Sequence, residues 1–179
     1  MKFIRIESLS PELTIDIHPD SAMILPGRPL FMPEWGENWE VRLHPAVKIG
    51  RLGKNIAPKF ASRYFDGFTL ACRVTLPDAD STRLRGVISG MDSSLFHGEW
   101  QPADTADADH TVNLNGSDIA LSRLSEVISE AIAKVSEYMT LKMGDIILLP
   151  EIGPSVKLSE GSRIEASLDA TPIVAQRVV

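Results

Sequence analysis

The chain has 179 residues, 44% of them hydrophobic, and 18 basic against 24 acidic side chains leave a net charge of −6. That is the size of one domain with an ordinary core, and an acidic chain without a run of Lys or Arg argues against nucleic acid or an anionic membrane as partner. The single cysteine, Cys72, excludes an internal disulfide framework, and no stretch approaches the roughly 20 apolar residues of a membrane span. With no signal-peptide core in MKFIRIESLS, the expectation is a soluble, cytoplasmic protein.

Taken in order, residues 1–7 alternate loosely and predict an edge strand, and residues 14–17 predict a second, ended by Pro19-Asp20. Residues 31–40, FMPEWGENWE, place Trp35 and Trp39 among acidic side chains. They form either an aromatic and acidic rim for a cation or, the reading favoured here, caps on the core or a subunit interface. Residues 41–49 alternate as a strand. After the basic loop 51–55, Ala57-Pro58 opens a short helix over 59–65, and a strand follows Gly67 over 68–75 with Cys72 as a small core residue.

Residues 102–110, PADTADADH, predict a solvated loop, because a calcium EF-hand would need a loop glycine and a closing Glu. Residues 111–119 predict a hairpin turning at Asn115-Gly116 in type I′ geometry. The clearest helix spans 122–138: Leu124, Val127, Ile128, Ala131, Ile132 and Val135 recur at three and four, and Ser122 to Ser125, with Glu126, offer its cap.

Residues 45–78 read PAVKIGRLGKNIAPKFASRYFDGFTLACRVTLPD. Their Ile49-Gly50-Arg51, Gly53-Lys54-Asn55-Ile56, Ala61, Tyr64, Gly67-Phe68-Thr69-Leu70-Ala71, Val74-Thr75 and Asp78 resemble the core pattern of the fumarylacetoacetate hydrolase family. The likeness starts near His18-Pro19 and returns at Asp92, Gly98 and Trp100, at Asn115-Gly116, at Met139-Thr140-Leu141 with Gly144-Asp145, and in the closing strands. It implies an α+β fold, a mixed rolled β-sheet with one long and one short helix, in a single domain over residues 1–179, and a homodimer.

The resemblance also marks where the chemistry departs. In that family a Glu-x-Glu pair before the Ile-Gly, and the Asp of Asn-Asp-Val, hold magnesium, manganese or calcium; the matching positions here are Arg42, His44 and Arg73. A fixed cation about 4 Å from a dication costs about 8 kcal/mol at an effective dielectric of about 20, so no metal or other cofactor is expected. The family's substrate-contacting lysine falls on Ser89. Its Thr-Gly-Thr-Pro segment is replaced by Leu148-Leu149-Pro150-Glu151, so Leu149 stands in a substrate-contact position. The His-x-x-Glu loop that supplies family enzymes with an acid and a base has no counterpart in residues 1–17 and is expected to be missing.

Three readings follow. The first is a family-like protein with a degenerate metal and substrate site, in which Arg42 and Arg73 either hold a small carboxylate directly or, the reading favoured here, point at surface carboxylates after the pocket has closed. The alternative is an active hydrolase, isomerase or decarboxylase of oxo-dienoic or acylpyruvate-type acids, whose metal would need ligands such as Asp66, Asp78 or Asp92. The third is a metal-free enzyme built on Arg42, Arg73, His44 and Glu151, with His44 and Glu151 as the catalytic candidates. Against it, a lone His is more often a structural residue, and Glu151 reads better as a charged turn residue before Ile152-Gly153-Pro154.

Overall fold

The computed structural model describes all 179 residues. Its strands are β1 (Phe3–Ser8), β2 (Thr14–His18), β3 (Glu40–Ile49), β4 (Phe65–Thr75), β5 (Leu95–His97), β6 (Gln101–Pro102), β7 (His110–Leu114), β8 (Ser117–Leu121), β9 (Ile146–Leu148), β10 (Ile152–Lys157), β11 (Arg163–Leu168) and β12 (Thr171–Arg177). The helices are α1 (Arg85–Ser89) and α2 (Leu124–Tyr138). Eight strands form one mixed sheet in the order β2-β1-β9-β3-β4-β5, with β10 also on β3 and β6 on β4; β12-β11-β7-β8 form a second sheet. The fold is α+β, as expected.

The long antiparallel pair β3 and β4 decides what each face of the large sheet carries. Val41 lies opposite Val74, Leu43 opposite Cys72 and Val47 opposite Phe68. These side chains share one core with Ile4, Ile6 and the α2 stripe Leu124, Ile128, Ala131, Ile132 and Val135. On the other face Arg42 lies opposite Arg73 and His44 opposite Ala71. Because side chains alternate along a strand, that face is polar at one end. At its other end it is apolar, with Phe3, Ala46, Ala71, Leu95 and Leu148 packed together.

The local expectations hold where short-range chemistry decides. Asn115 and Gly116 turn the β7–β8 hairpin with φ of 45° and 92°, both positive as a type I′ turn requires. Trp39 is buried, and its Nε1–H donates to the Trp35 carbonyl at 3.0 Å while the two rings meet edge to face. Other expectations need correction. Strand β1 is interior, antiparallel to β2 and parallel to β9, because its second partner comes from the far end of the chain. The short helix expected over 59–65 is a tight 3₁₀ turn over Pro58–Arg63, and the short α-helix is α1 instead. Helix α2 has no side-chain cap; Arg123 enters it with a left-handed φ of 57°. The acidic segment Ala103–Asp107 is a 3₁₀ turn anchored by buried Ala106 and by His110, whose Nε2 lies 3.0 Å from the Thr105 carbonyl.

Gly98 joins the two sheets. Its N–H donates to the Leu70 carbonyl of β4, and the next N–H, of Glu99, donates to Ile173 of β12. A Cβ at residue 98 would lie 2.5 Å from the Ile173 carbonyl oxygen, which is backbone and cannot swing aside. Gly98→Ala is therefore expected to destabilise the protein by about 1–3 kcal/mol in urea unfolding. Gly86→Ala in α1, where nothing lies within 4 Å, should be neutral or stabilise by about 0.4–1 kcal/mol.

Candidate functional site

The polar end of the large sheet gathers charge from both ends of the chain. Arg5 lies opposite Asp16 in the β1–β2 register, and His18 lies opposite Phe3, so all three share the face of Arg42, His44 and Arg73. Arg5 and Arg73 are almost wholly buried, 1% exposed each. Asp80, on the 3₁₀ turn Ala79–Ser81, bridges them: its Oδ2 lies 3.0 Å from Arg5 Nη1 and 3.0 Å from Arg73 Nη2. Arg5 Nε also donates to Asp16 Oδ2 at 2.9 Å. Arg85 of α1 donates to Asp16 Oδ1 at 2.6 Å and pairs with Glu7 at 2.7 Å.

Burial pulls the Arg73 pKa down, and the charge of Arg5 adds to this; Asp80 opposes both. At Asp16 burial acts to raise the pKa, but hydrogen bonds from Arg85 and Arg5 outweigh it and hold the carboxyl below its usual value.

Two imidazoles sit beside the arginines. His44 is fully buried, with a pKa lowered to about 3 first by burial and then by Arg73; His18 is lowered to about 4 by the same two causes. His44 Nδ1 lies 2.7 Å from the Leu149 carbonyl oxygen, which can only accept, so Nδ1 carries the proton and Nε2 is a bare acceptor. That Nε2, both ring nitrogens of His18, and Nε of Arg73 have no hydrogen-bond partner in the protein. Buried polar atoms without partners are costly.

The cavity here is open, about 410 Å³, and lined by Glu7, Arg42, Arg73, Thr75, Asp78 and Asp80 among others. A larger groove of about 740 Å³ runs along α2 past Ser129 and Glu130, but none of its charged side chains is buried. Of the residues singled out in the sequence, Arg42 and Arg73 line the site together and His44 lies on the same face. Arg42 is occupied by Glu40 at 2.6 Å and Glu151 at 2.7 Å, so Glu151 stands as an ion-pair partner on the surface. Leu149 contributes its carbonyl, its side chain being in the main core. Ser89 is apart from the cavity: its Oγ donates to the Gly86 carbonyl within α1. Asp78 lines the cavity, whereas Asp66 and Asp92 do not.

Sequence reasoning missed Arg5, Asp16, His18, Asp80 and Arg85. The available signal was Arg5 itself, a cation two residues from Phe3 on the inward parity of an apolar strand. A divalent cation fits this donor set poorly. Arg42, Arg73 and a neutral imidazole, His44, share this face, the carboxylates of Asp16 and Asp80 are already held by arginines, and no three His, Cys, Asp or Glu side chains cluster so as to hold a metal ion.

The neutral imidazoles make stability depend on acid. Unfolded, both would titrate near the ordinary value of 6.5, so as pH falls the unfolded chain takes up protons before the folded one. Their stabilising share is full above about pH 6.5 and is lost as pH drops toward about 4 for His18 and about 3 for His44. Urea unfolding is expected to lose on the order of 2 kcal/mol per imidazole between pH 8 and pH 5. His18→Phe, which removes two unpartnered nitrogens at similar shape, should remove about half of that decline.

The model of the fumarylacetoacetate (FAA) hydrolase C-terminal family matches residues 7–179. An uncharacterized protein of Pyrococcus abyssi is 30% identical to this chain, over 94% of this chain and 80% of its own length. The mitochondrial oxaloacetate tautomerase Fahd2a of Rattus norvegicus is 29% identical over 91% of this chain and 55% of its own length. The chain thus spans about half of that relative. In structure it is similar to 5-carboxymethyl-2-hydroxymuconate delta-isomerase from Mycobacterium smegmatis, with a TM-score of 0.83 at 21% identity over 99% of this chain and 78% of the other, a likeness of fold alone. Since the family pattern runs through all but the first few residues, this chain belongs to the fumarylacetoacetate hydrolase family.

Proposed function

We propose that this chain is a family member whose metal-dependent chemistry has been lost and whose site receives a small carboxylate through arginine instead. The observation that carries this reading is the burial of Arg5 and Arg73 side by side on the face where the family's metal ligands would stand. Two guanidinium groups with a shared carboxylate between them form a site for an oxyanion and repel a dication. The open cavity beside Arg73, with half-exposed Arg42 at its rim, supplies the entrance and room for a molecule of a few carbon atoms. Asp78 and Thr75 add polar groups to the cavity wall beside Arg73.

A second reading, an active isomerase or tautomerase of oxo acids, has one observation in its favour: the 29% identity to an oxaloacetate tautomerase. It needs a metal or a base that the residues around Arg73 do not supply in the family's manner. Calorimetric titration separates the two. On the first reading pyruvate or malonate binds at millimolar or tighter concentration, Arg73→Lys weakens it at least about tenfold because the planar fork is lost, and manganese changes nothing. Manganese binding together with catalysed tautomerisation of oxaloacetate would establish the second reading and remove the first.

A further inference from the structure

Asp80 holds the two guanidinium groups as a ligand carboxylate would. One of its oxygens serves Arg5 and Arg73 at 3.0 Å each, and the other lies 3.4 Å from Arg73 Nη1, so it approaches the forked contact of a bound carboxylate. Unlike Asp16, which lies on strand β2 opposite Arg5, Asp80 comes from a three-residue turn on the surface. Its side chain remains 27% exposed while those of both arginines are 2% exposed. The same turn, with Asp78, Ala79, Asp80 and Ser81, walls the cavity. The residue that starts it, Asp78, has a left-handed φ of 58°, a conformation that costs an L residue energy and that a rearranged turn would relieve.

Behind the bridge, the interior side of Arg73 is unfinished. The η nitrogens of Arg73 are taken by Asp80, but its Nε has no partner, and neither do the nitrogens of His18 or Nε2 of His44. A carboxylate confined to the short Asp80 side chain reaches the outer edge of Arg73 and no further.

We propose that Asp80 is a resident occupant of the Arg5–Arg73 anion site, and that a small carboxylate enters by displacing it together with the Ala79–Ser81 turn. The inference rests on the carboxylate reading of the site and deepens it, because it makes Asp80 the competitor that sets ligand affinity. No bond is made or broken; one carboxylate replaces another on the same pair of cations, and the displaced Asp80 turns to water.

Acetate is the probe, with chloride at equal ionic strength as the control, on the full chain and on Asp80→Ala. The variant, stripped of its internal anion, is expected to melt at lower temperature than the parent, to recover in acetate but not in chloride, and to bind acetate at least about tenfold more tightly than the parent. Equal acetate affinity in both proteins overturns the displacement and leaves carboxylate binding itself standing. Absence of acetate binding in both removes that reading and the inference with it. Should Asp80→Ala not fold, the Nε–H resonances of Arg5 and Arg73 in the parent decide: displacement moves both on adding acetate, and if neither moves the inference is wrong.

Discussion

Arg5 and Arg73 both donate to one oxygen of Asp80, each at 3.0 Å, so the two contacting nitrogens of two buried cations lie no more than about 6 Å apart. At an effective dielectric of about 20 their repulsion is about 3 kcal/mol, and each has also left water. The fold tolerates this because Asp80 lies between them and Asp16 backs Arg5 from the neighbouring strand. Everything at this end of the sheet answers to that constraint. The register of β3 on β4 puts Arg73 there, the register of β1 on β2 puts Arg5 and Asp16 there, and the turn after β4 closes the circuit.

The same ion pairs also brace the neighbouring elements against the sheet. Arg85 reaches from α1 to Asp16 on β2 and to Glu7 near the end of β1, so it ties a five-residue helix, too short to be stable alone, to the sheet. Asp80 ties the preceding turn to β1 and β4. A network of this kind is stable as a whole and vulnerable in its parts, because removing one member leaves its partner charged and buried. The imidazoles follow the opposite logic: next to cations and out of water, they stay neutral, and one of them is held in a single tautomer by the Leu149 carbonyl.

How much of this the sequence reveals depends on how far apart the interacting residues lie. The Asn115-Gly116 turn, the α2 stripe and the strand through Phe68 to Thr75 are set by neighbours within a few positions, and each is where the pattern puts it. Strand β1 has a perfectly legible alternation, yet nothing local says that its second neighbour is β9. The ion network fails to show for the same reason. Arg42, His44 and Arg73 could be placed on one face because they lie on one antiparallel pair whose pattern is recognisable. Arg5, Asp16 and Asp80 come from three other segments, and no spacing rule joins them to Arg73.

The residues that make the family recognisable are for the most part those that build the frame. Gly67 passes under the Gln101 carbonyl, where any Cβ would lie 2.5 Å from that oxygen, and Gly53 abuts the ring of Tyr64. Asp145, in the near-identical Met-Thr-Leu-x-x-Gly-Asp stretch, is buried and accepts the backbone N–H groups of Lys2 at 3.1 Å and Lys142 at 2.9 Å, fastening the N-terminus beside β9. None of these groups faces the arginine site. These groups shape the backbone whatever the pocket does, and a scaffold does not by itself fix the function of the site it carries. The registers of β1 on β2 and of β3 on β4 place these charges on one face of the sheet. What the site does follows from its charges, and those are cations held by carboxylates.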